Sequence, residues 1–203
     1  MVGIVKYGAG NITSVRCALD RLGVTSVVSD DMEKLSSCSH VIFPGVGEAS
    51  TAMEYLKKAG LDESLKKITR PFLGICLGMQ LMCRWSEENS TDCMGIFNSE
   101  VGLIHGDINN KVPHMGWNSI TPTADDPLFA SIPSGEMFYF VHSYRVPVET
   151  GTIATCPYAG VTFSAALRIG NHAGVQFHPE KSGPAGAQVL KNFLAQGGEA
   201  ICI

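Results

Sequence analysis

Pro71-Phe72-Leu73-Gly74-Ile75-Cys76-Leu77-Gly78-Met79-Gln80 runs from a short apolar segment straight into a stretch of helical character. Glycine stands two residues before and two after the cysteine. This is G-x-C-x-G, the thiol counterpart of the G-x-S-x-G nucleophile elbow. A nucleophile raised on a strand-to-helix turn sits on a cramped, often strained backbone, and flanking side chains larger than hydrogen collide with neighbouring elements. At the start of the helix, unpaired N–H groups and the dipole favour thiolate over thiol. The amide of Leu77 then points towards any oxyanion formed by attack. The turn makes Cys76 a candidate nucleophile and implies a buried strand feeding a helix.

Working outward, the first half of the chain repeats that alternation. Val2–Lys6, Val24–Ser29, His40–Phe43 and Phe72–Ile75 read as strands; Ile12–Leu22, Glu48–Ala59, Leu61–Ile68 and Leu77–Trp85 read as helices. Such alternation implies βαβ units around a parallel sheet. After about Asn89, Gly, Pro, Asn and Asp recur between the runs Trp117–Thr121, Met137–Arg145, Gly151–Cys156, Thr162–Ile169 and His172–Phe177. That texture predicts antiparallel strands and turns, closed by a helix from about Gly186 to Ala195. No repeat or linker divides the sequence, so one α/β domain over residues 1–203 is expected.

Composition excludes several classes. The 203 residues carry 15 Lys+Arg against 19 Asp+Glu, a net charge of −4, which argues against a basic nucleic-acid footprint. No apolar run approaches the roughly 20 residues needed to span a bilayer, and Met1–Lys6 turns polar too soon for a signal peptide. The seven cysteines, Cys17, Cys38, Cys76, Cys83, Cys93, Cys156 and Cys202, form no C-x-x-C pair. Reduced thiols in a cytosol are expected, without a disulfide framework or metal site.

A cysteine nucleophile wants a base, usually a histidine oriented by a third polar group. His178 ends the apolar run Ala173-Gly174-Val175-Gln176-Phe177 and opens His178-Pro179-Glu180. Pro179 pushes the residue before it into extended backbone, and side chains two apart on such backbone share a face. Glu180 can then fix the imidazole tautomer and support its cation. His142, in Phe140-Val141-His142-Ser143-Tyr144, is a rival base. Pro44-Gly45-Val46-Gly47 follows an apolar run, and its glycines could let backbone amides face a developing negative charge as the second donor of an oxyanion site. Gly8-Ala9-Gly10-Asn11-Ile12-Thr13 lacks the third glycine of a dinucleotide fingerprint, so nucleotide binding is discounted.

The elbow, together with His178-Pro179-Glu180, resembles the class I (triad) glutamine amidotransferases. Tyr7-Gly8-Ala9-Gly10-Asn11-Ile12-Thr13-Ser14-Val15, Pro44–Gly47 and Pro113-His114-Met115-Gly116-Trp117-Asn118 are similar, more narrowly, to the glutaminase subunits of imidazole glycerol phosphate synthases. The resemblance spans nearly the whole chain. It implies a flavodoxin-like three-layer sandwich with a central, mostly parallel sheet and additional antiparallel strands in the second half.

By the same resemblance Cys76 is the nucleophile, His178 the base and then acid, and Glu180 the orienting carboxylate. Val46, Gly47 and Leu77 form the oxyanion site. Gln80 holds substrate glutamine, Glu88 receives its α-ammonium group, and Ser143 lies near its carboxylate. Tyr7, Asn11, Trp117, His142 and Lys181 are candidates for a docking face. Lys6 departs from the acidic residue many members carry there, which bears on partner contacts rather than chemistry. The implied reaction hydrolyses L-glutamine to glutamate and ammonia without metal or organic cofactor. The ammonia passes to a (β/α)₈ cyclase subunit that makes imidazole glycerol phosphate and an aminoimidazole carboxamide ribonucleotide in histidine biosynthesis. Three readings compete: an amidotransferase subunit feeding another acceptor enzyme, a stand-alone cysteine hydrolase of γ-glutamyl bonds, and a catalytically silent interaction module.

Overall fold

A computed structural model describes residues 1–8 and 10–197; Cys202 lies outside them. The first half builds β1 (Val2–Val5), α1 (Ile12–Arg21), β2 (Ser26–Ser29), α2 (Met32–Ser37), β3 (His40–Gly45), α3 (Ala49–Lys58), α4 (Leu61–Leu65), β4 (Phe72–Cys76) and α5 (Leu77–Leu81). The second half adds β5 (Trp85–Ser86), β6 (Thr91–Asp92), β7 (Glu100–Leu103), β8 (His114–Ser119), β9 (Thr121–Pro122), β10 (Met137–His142) and β11 (Tyr144–Arg145). It ends with β12 (Thr152–Tyr158), β13 (Val161–Ile169), β14 (His172–Val175) and α6 (Gly183–Leu194).

Eight strands form the main sheet in the order β2-β1-β3-β4-β14-β13-β12-β9. The first five are mutually parallel, and β13, β12 and β9 continue antiparallel. The parallel part has the doubly wound order of flavodoxin-like folds, in which sites form beyond the carboxyl ends of the strands. Strands β1, β3, β4 and β14 are buried throughout because helices cover both faces. Val15, Leu19, Val189 and Phe193 of α1 and α6 pack on one face. Leu35, Met53, Leu56, Leu61 and Met79 of α2 to α5 pack on the other. Two small sheets stand beside the main one: a β8–β10 ribbon, and four short strands in the order β11-β7-β5-β6.

Several element bounds differ from the sequence reading. The helix expected over Leu77–Trp85 stops at Leu81, and Trp85 instead enters β5, paired with both β6 and β7. The strand expected to begin at Trp117 begins at His114. The Met137–Arg145 run breaks at Ser143 into two strands that pair in different sheets. Helix α2 has no counterpart in the sequence pattern; Asp31 caps it by accepting from the Glu33 and Lys34 amides. No helix among the described residues is long and apolar enough to cross a membrane.

Candidate active site

Cys76 ends β4 with φ 54° and ψ −112°, left-handed backbone that a residue with a Cβ rarely adopts. The glycines around it are demanded by close approach. A Cβ on Gly78 would lie 1.9 Å from the Phe43 carbonyl oxygen, and one on Gly74 would lie 2.5 Å from Met82 Sδ. Helix α5 therefore rests directly on β3 and β4, and the sulfur is thrust towards the strand ends. Its neighbours are the Val141 carbonyl at 3.8 Å and Gln176 Nε2, which donates to it at 3.6 Å.

His178 and Glu180 come together as expected, by a partly different route. His178 is extended (φ −100°, ψ 95°), but Pro179–Lys181 form one turn of 3-10 helix rather than a continuing strand. His178 Nδ1 donates to Glu180 Oε1 at 2.8 Å, and both side chains are 1% exposed. The Ser182 hydroxyl donates to the His178 carbonyl and accepts from the Tyr139 amide, fixing the turn. His178 Nε2 is buried without a hydrogen bond of good geometry, yet the Cys76 sulfur acts on the ring. Burial works against the imidazolium, but Cys76 and Glu180 outweigh it and raise the pKa to about 10. A free ring nitrogen beside a sulfur, with the other nitrogen on a carboxylate, is the arrangement of a nucleophile, its base and an orienting group.

In front of the sulfur lies a cavity of about 340 Å³ lined by Val46, Gly47, Cys76, Leu77, Gln80, Glu88, Pro113, Val141, His142, Ser143 and Tyr144. All three expected oxyanion residues and all three expected substrate residues are therefore on its wall. Gln80 is buried, and its Nε2 donates to the Tyr144 carbonyl (3.0 Å) and to Gln176 Oε1 (2.8 Å). Glu88 Oε2 accepts from the Ala49 amide at 2.7 Å, capping α3 just beyond the Val46-Gly47 turn, and burial raises its pKa. Gln176 was not read from the sequence. The only signal was one amide in an otherwise apolar run, two residues before His178.

The docking residues divide. Trp117 is 53% exposed, and Lys181 is exposed with its ammonium 5.8 Å above the Tyr139 ring. Asn11 is half-buried at the start of α1, and Lys6 is exposed. Tyr7 and His142 do not fit a docking face because both are buried. The Tyr7 hydroxyl donates to the Pro44 carbonyl at 2.7 Å while its ring packs on Phe43. His142 has Nδ1 on the Tyr144 carbonyl and Nε2 on His114, so neither nitrogen is free for the sulfur and the rival-base reading falls.

The model of the class I glutamine amidotransferase family matches residues 4–196. A curated relative from Bacteroides fragilis, named imidazole glycerol phosphate synthase subunit HisH, is 53% identical over 194 residues, 95% of this chain and 98% of the relative. One of the same name from Photobacterium profundum is 46% identical over 203 residues, 95% of this chain and 96% of the relative. Among solved structures, a glutamine amidotransferase aligns at TM-score 0.73 and 17% identity, covering 95% of this chain and 96% of that one. PurLQS from Thermotoga maritima aligns at 0.68 and 19%, over 95% and 96%. At such identities these structures speak for the fold alone. The elbow, the buried His–Glu pair and the full-length likeness agree: the chain belongs to the class I glutamine amidotransferases, among the HisH subunits of imidazole glycerol phosphate synthase.

Proposed function

We propose that the chain is a glutaminase that makes ammonia for a cyclase subunit docked beside its active site. The observation that carries the reading is one strained cysteine with a buried His–Glu pair behind it and an amino-acid-sized cavity in front. Cys76 thiolate attacks the side-chain amide carbon of L-glutamine. The oxyanion faces the Leu77 amide and the Val46-Gly47 turn, donors that act on charge present only after attack. His178, whose cation Glu180 supports, gives its Nε2 proton to the departing nitrogen as the C–N bond breaks, releasing ammonia and leaving a thioester. Water, losing its proton to His178, then hydrolyses the thioester to glutamate and frees the sulfur. Glu88 answers the substrate's α-ammonium group by charge, and Ser143 lies on the wall available to its carboxylate.

Ammonia released into neutral water is protonated and loses its nucleophilicity, so this chemistry gains from a receiver held against the site. The relatives' name supplies the class of receiver, an imidazole glycerol phosphate synthase cyclase. The outer face of the β8–β10 ribbon suits docking: Met115, Trp117 and Met137 are exposed there, and register sets Trp117 opposite Tyr139. Glutamine hydrolysis should rise by an order of magnitude or more (about 1.4 kcal/mol per tenfold) when a cyclase subunit and its ribonucleotide substrate are added. A rate already maximal in the isolated chain, with γ-glutamyl peptides preferred to glutamine, would support a stand-alone hydrolase instead.

A further inference from the structure

One hydrogen-bonded chain near the cavity has no part in the triad. Strands β8 and β10 pair with His114 directly opposite His142. His114 Nδ1 lies 3.0 Å from His142 Nε2, and His142 Nδ1 lies 2.7 Å from the Tyr144 carbonyl oxygen. Asn118 Nδ2 lies 3.3 Å from His114 Nε2. Both ends fix the direction of every bond. The Tyr144 carbonyl only accepts, so His142 carries its proton on Nδ1, Nε2 must accept, and His114 must donate from Nδ1. At the far end, Asn118 Nδ2 donates to the Pro157 carbonyl (2.9 Å) while its Oδ1 accepts from the Ser119 amide (2.8 Å), so the amide cannot be reversed. Three side chains thus donate in one sense, from the strand that bears Trp117 to a carbonyl on the cavity wall.

That carbonyl also accepts from Gln80 Nε2, whose second hydrogen goes to Gln176, the donor to the Cys76 sulfur. We propose that His114 and His142 are positioning residues for glutamine: they hold the Tyr144 carbonyl, and through it Gln80, in place on the cavity wall. The proposal rests on the glutaminase reading. It requires both rings to stay neutral, and burial lowers the pKa of His114 to about 4 and of His142 to about 3. Because the chain starts beside Trp117, a partner seated on the ribbon bears on its outer end.

A packing role makes the opposite prediction from a hydrogen-bonding one. His114 stacks on Tyr158 with ring centres 3.8 Å apart and on Phe140 at 4.8 Å. His114→Phe keeps the stack and strips the donor, leaving His142 Nε2 buried and unpaired. His114→Asn loses the stack, but its Nδ2 mimics Nδ1. Labelling of Cys76 in the purified full chain by a glutamine-analogue chloroketone separates the two, with iodoacetamide reporting the bare thiol. In His114→Phe the half-saturating chloroketone concentration should rise about tenfold with little change in limiting rate, and in His114→Asn it should stay within about twofold of the parent. Iodoacetamide should react alike with all three. Equal behaviour of the two variants, or a weaker His114→Asn, overturns the proposal. A parent chain whose Cys76 is labelled by iodoacetamide and not by the chloroketone overturns the glutaminase reading with it. The imidazole nitrogen NMR shifts of the unsubstituted chain give a second test if His114→Phe does not fold. Protonated Nδ1 and bare Nε2 on both rings near neutral pH are expected, and an Nε2–H tautomer on either ring overturns it.

Discussion

Cys76 holds a backbone conformation that costs a residue with a Cβ about 1–3 kcal/mol, at φ 54° and ψ −112°. Cys76→Gly removes that strain and gives back about 0.5–1 kcal/mol through the freer unfolded chain. The variant is therefore expected to melt at or above the parent, with each kcal/mol of net gain worth about 2–4 °C at this chain length, and to have no glutaminase activity. A melting temperature several degrees lower would mean the turn is not strained by its side chain. The residues of this centre were readable because local spacing encodes them: glycines two apart from the cysteine, and a proline between His178 and Glu180. Gln176, Tyr7 and His142 were not, because burial decides their roles. A glutamine in an apolar strand, or a tyrosine in a glycine-rich turn, looks the same whether it faces a sulfur, a carbonyl or solvent.

The elbow works as an element because α5 lies against β3 and β4 with nothing between them. Adding one methyl group at Gly78 drives it into the Phe43 carbonyl at 1.9 Å, where backbone meets backbone and no rotamer offers relief. Overpacking of this kind costs about 3 kcal/mol or more, so Gly78→Ala should lower the melting temperature by about 6–12 °C. Gly102 provides the contrast. Its nearest neighbour would be Glu87 Oε2 at 3.6 Å and its backbone needs no left-handed φ, so Gly102→Ala should melt within a degree or two of the parent. Similar losses in both variants would show that the close approach of α5 to β3 is not what sets the cost at Gly78. Long elements were legible here and short ones were not. The two-residue strands β5 and β6 hold too few positions for a period to register. Helix α5 was overextended because apolar residues through Trp85 fit a helix and a buried strand equally well. Its end is set by tertiary pairing of Trp85 with Asp92 and Glu100.

At the scale of the whole molecule, the cavity and the exposed ribbon share their parts. Pro113 directly precedes β8 and His142 ends β10, and both line the cavity whose floor is the sulfur. The same ribbon carries Met115, Trp117 and Met137 in solvent. A monomer has little use for three large apolar side chains on one small sheet, whereas an interface has use for an aromatic anchor among methionines. The sequence held Trp117 but not its setting: its neighbours on the face come from β10, paired across an intervening segment that includes β9, and only the register brings Met137 and Tyr139 beside it. Trp117→Ala should weaken binding of the cyclase subunit by roughly thirtyfold, the loss typical of a central anchor worth about 2 kcal/mol, read by titration calorimetry on the full chain. Its melting temperature should hardly move, because the side chain is 53% exposed and little of the core leans on it. The same titration with Val161→Ala, a similarly solvent-facing apolar residue on β13 outside the ribbon, should leave affinity unchanged. Equal losses at both sites would move the docking surface off the ribbon, and no loss at Trp117 would sever the link between the exposed strand and the site behind it.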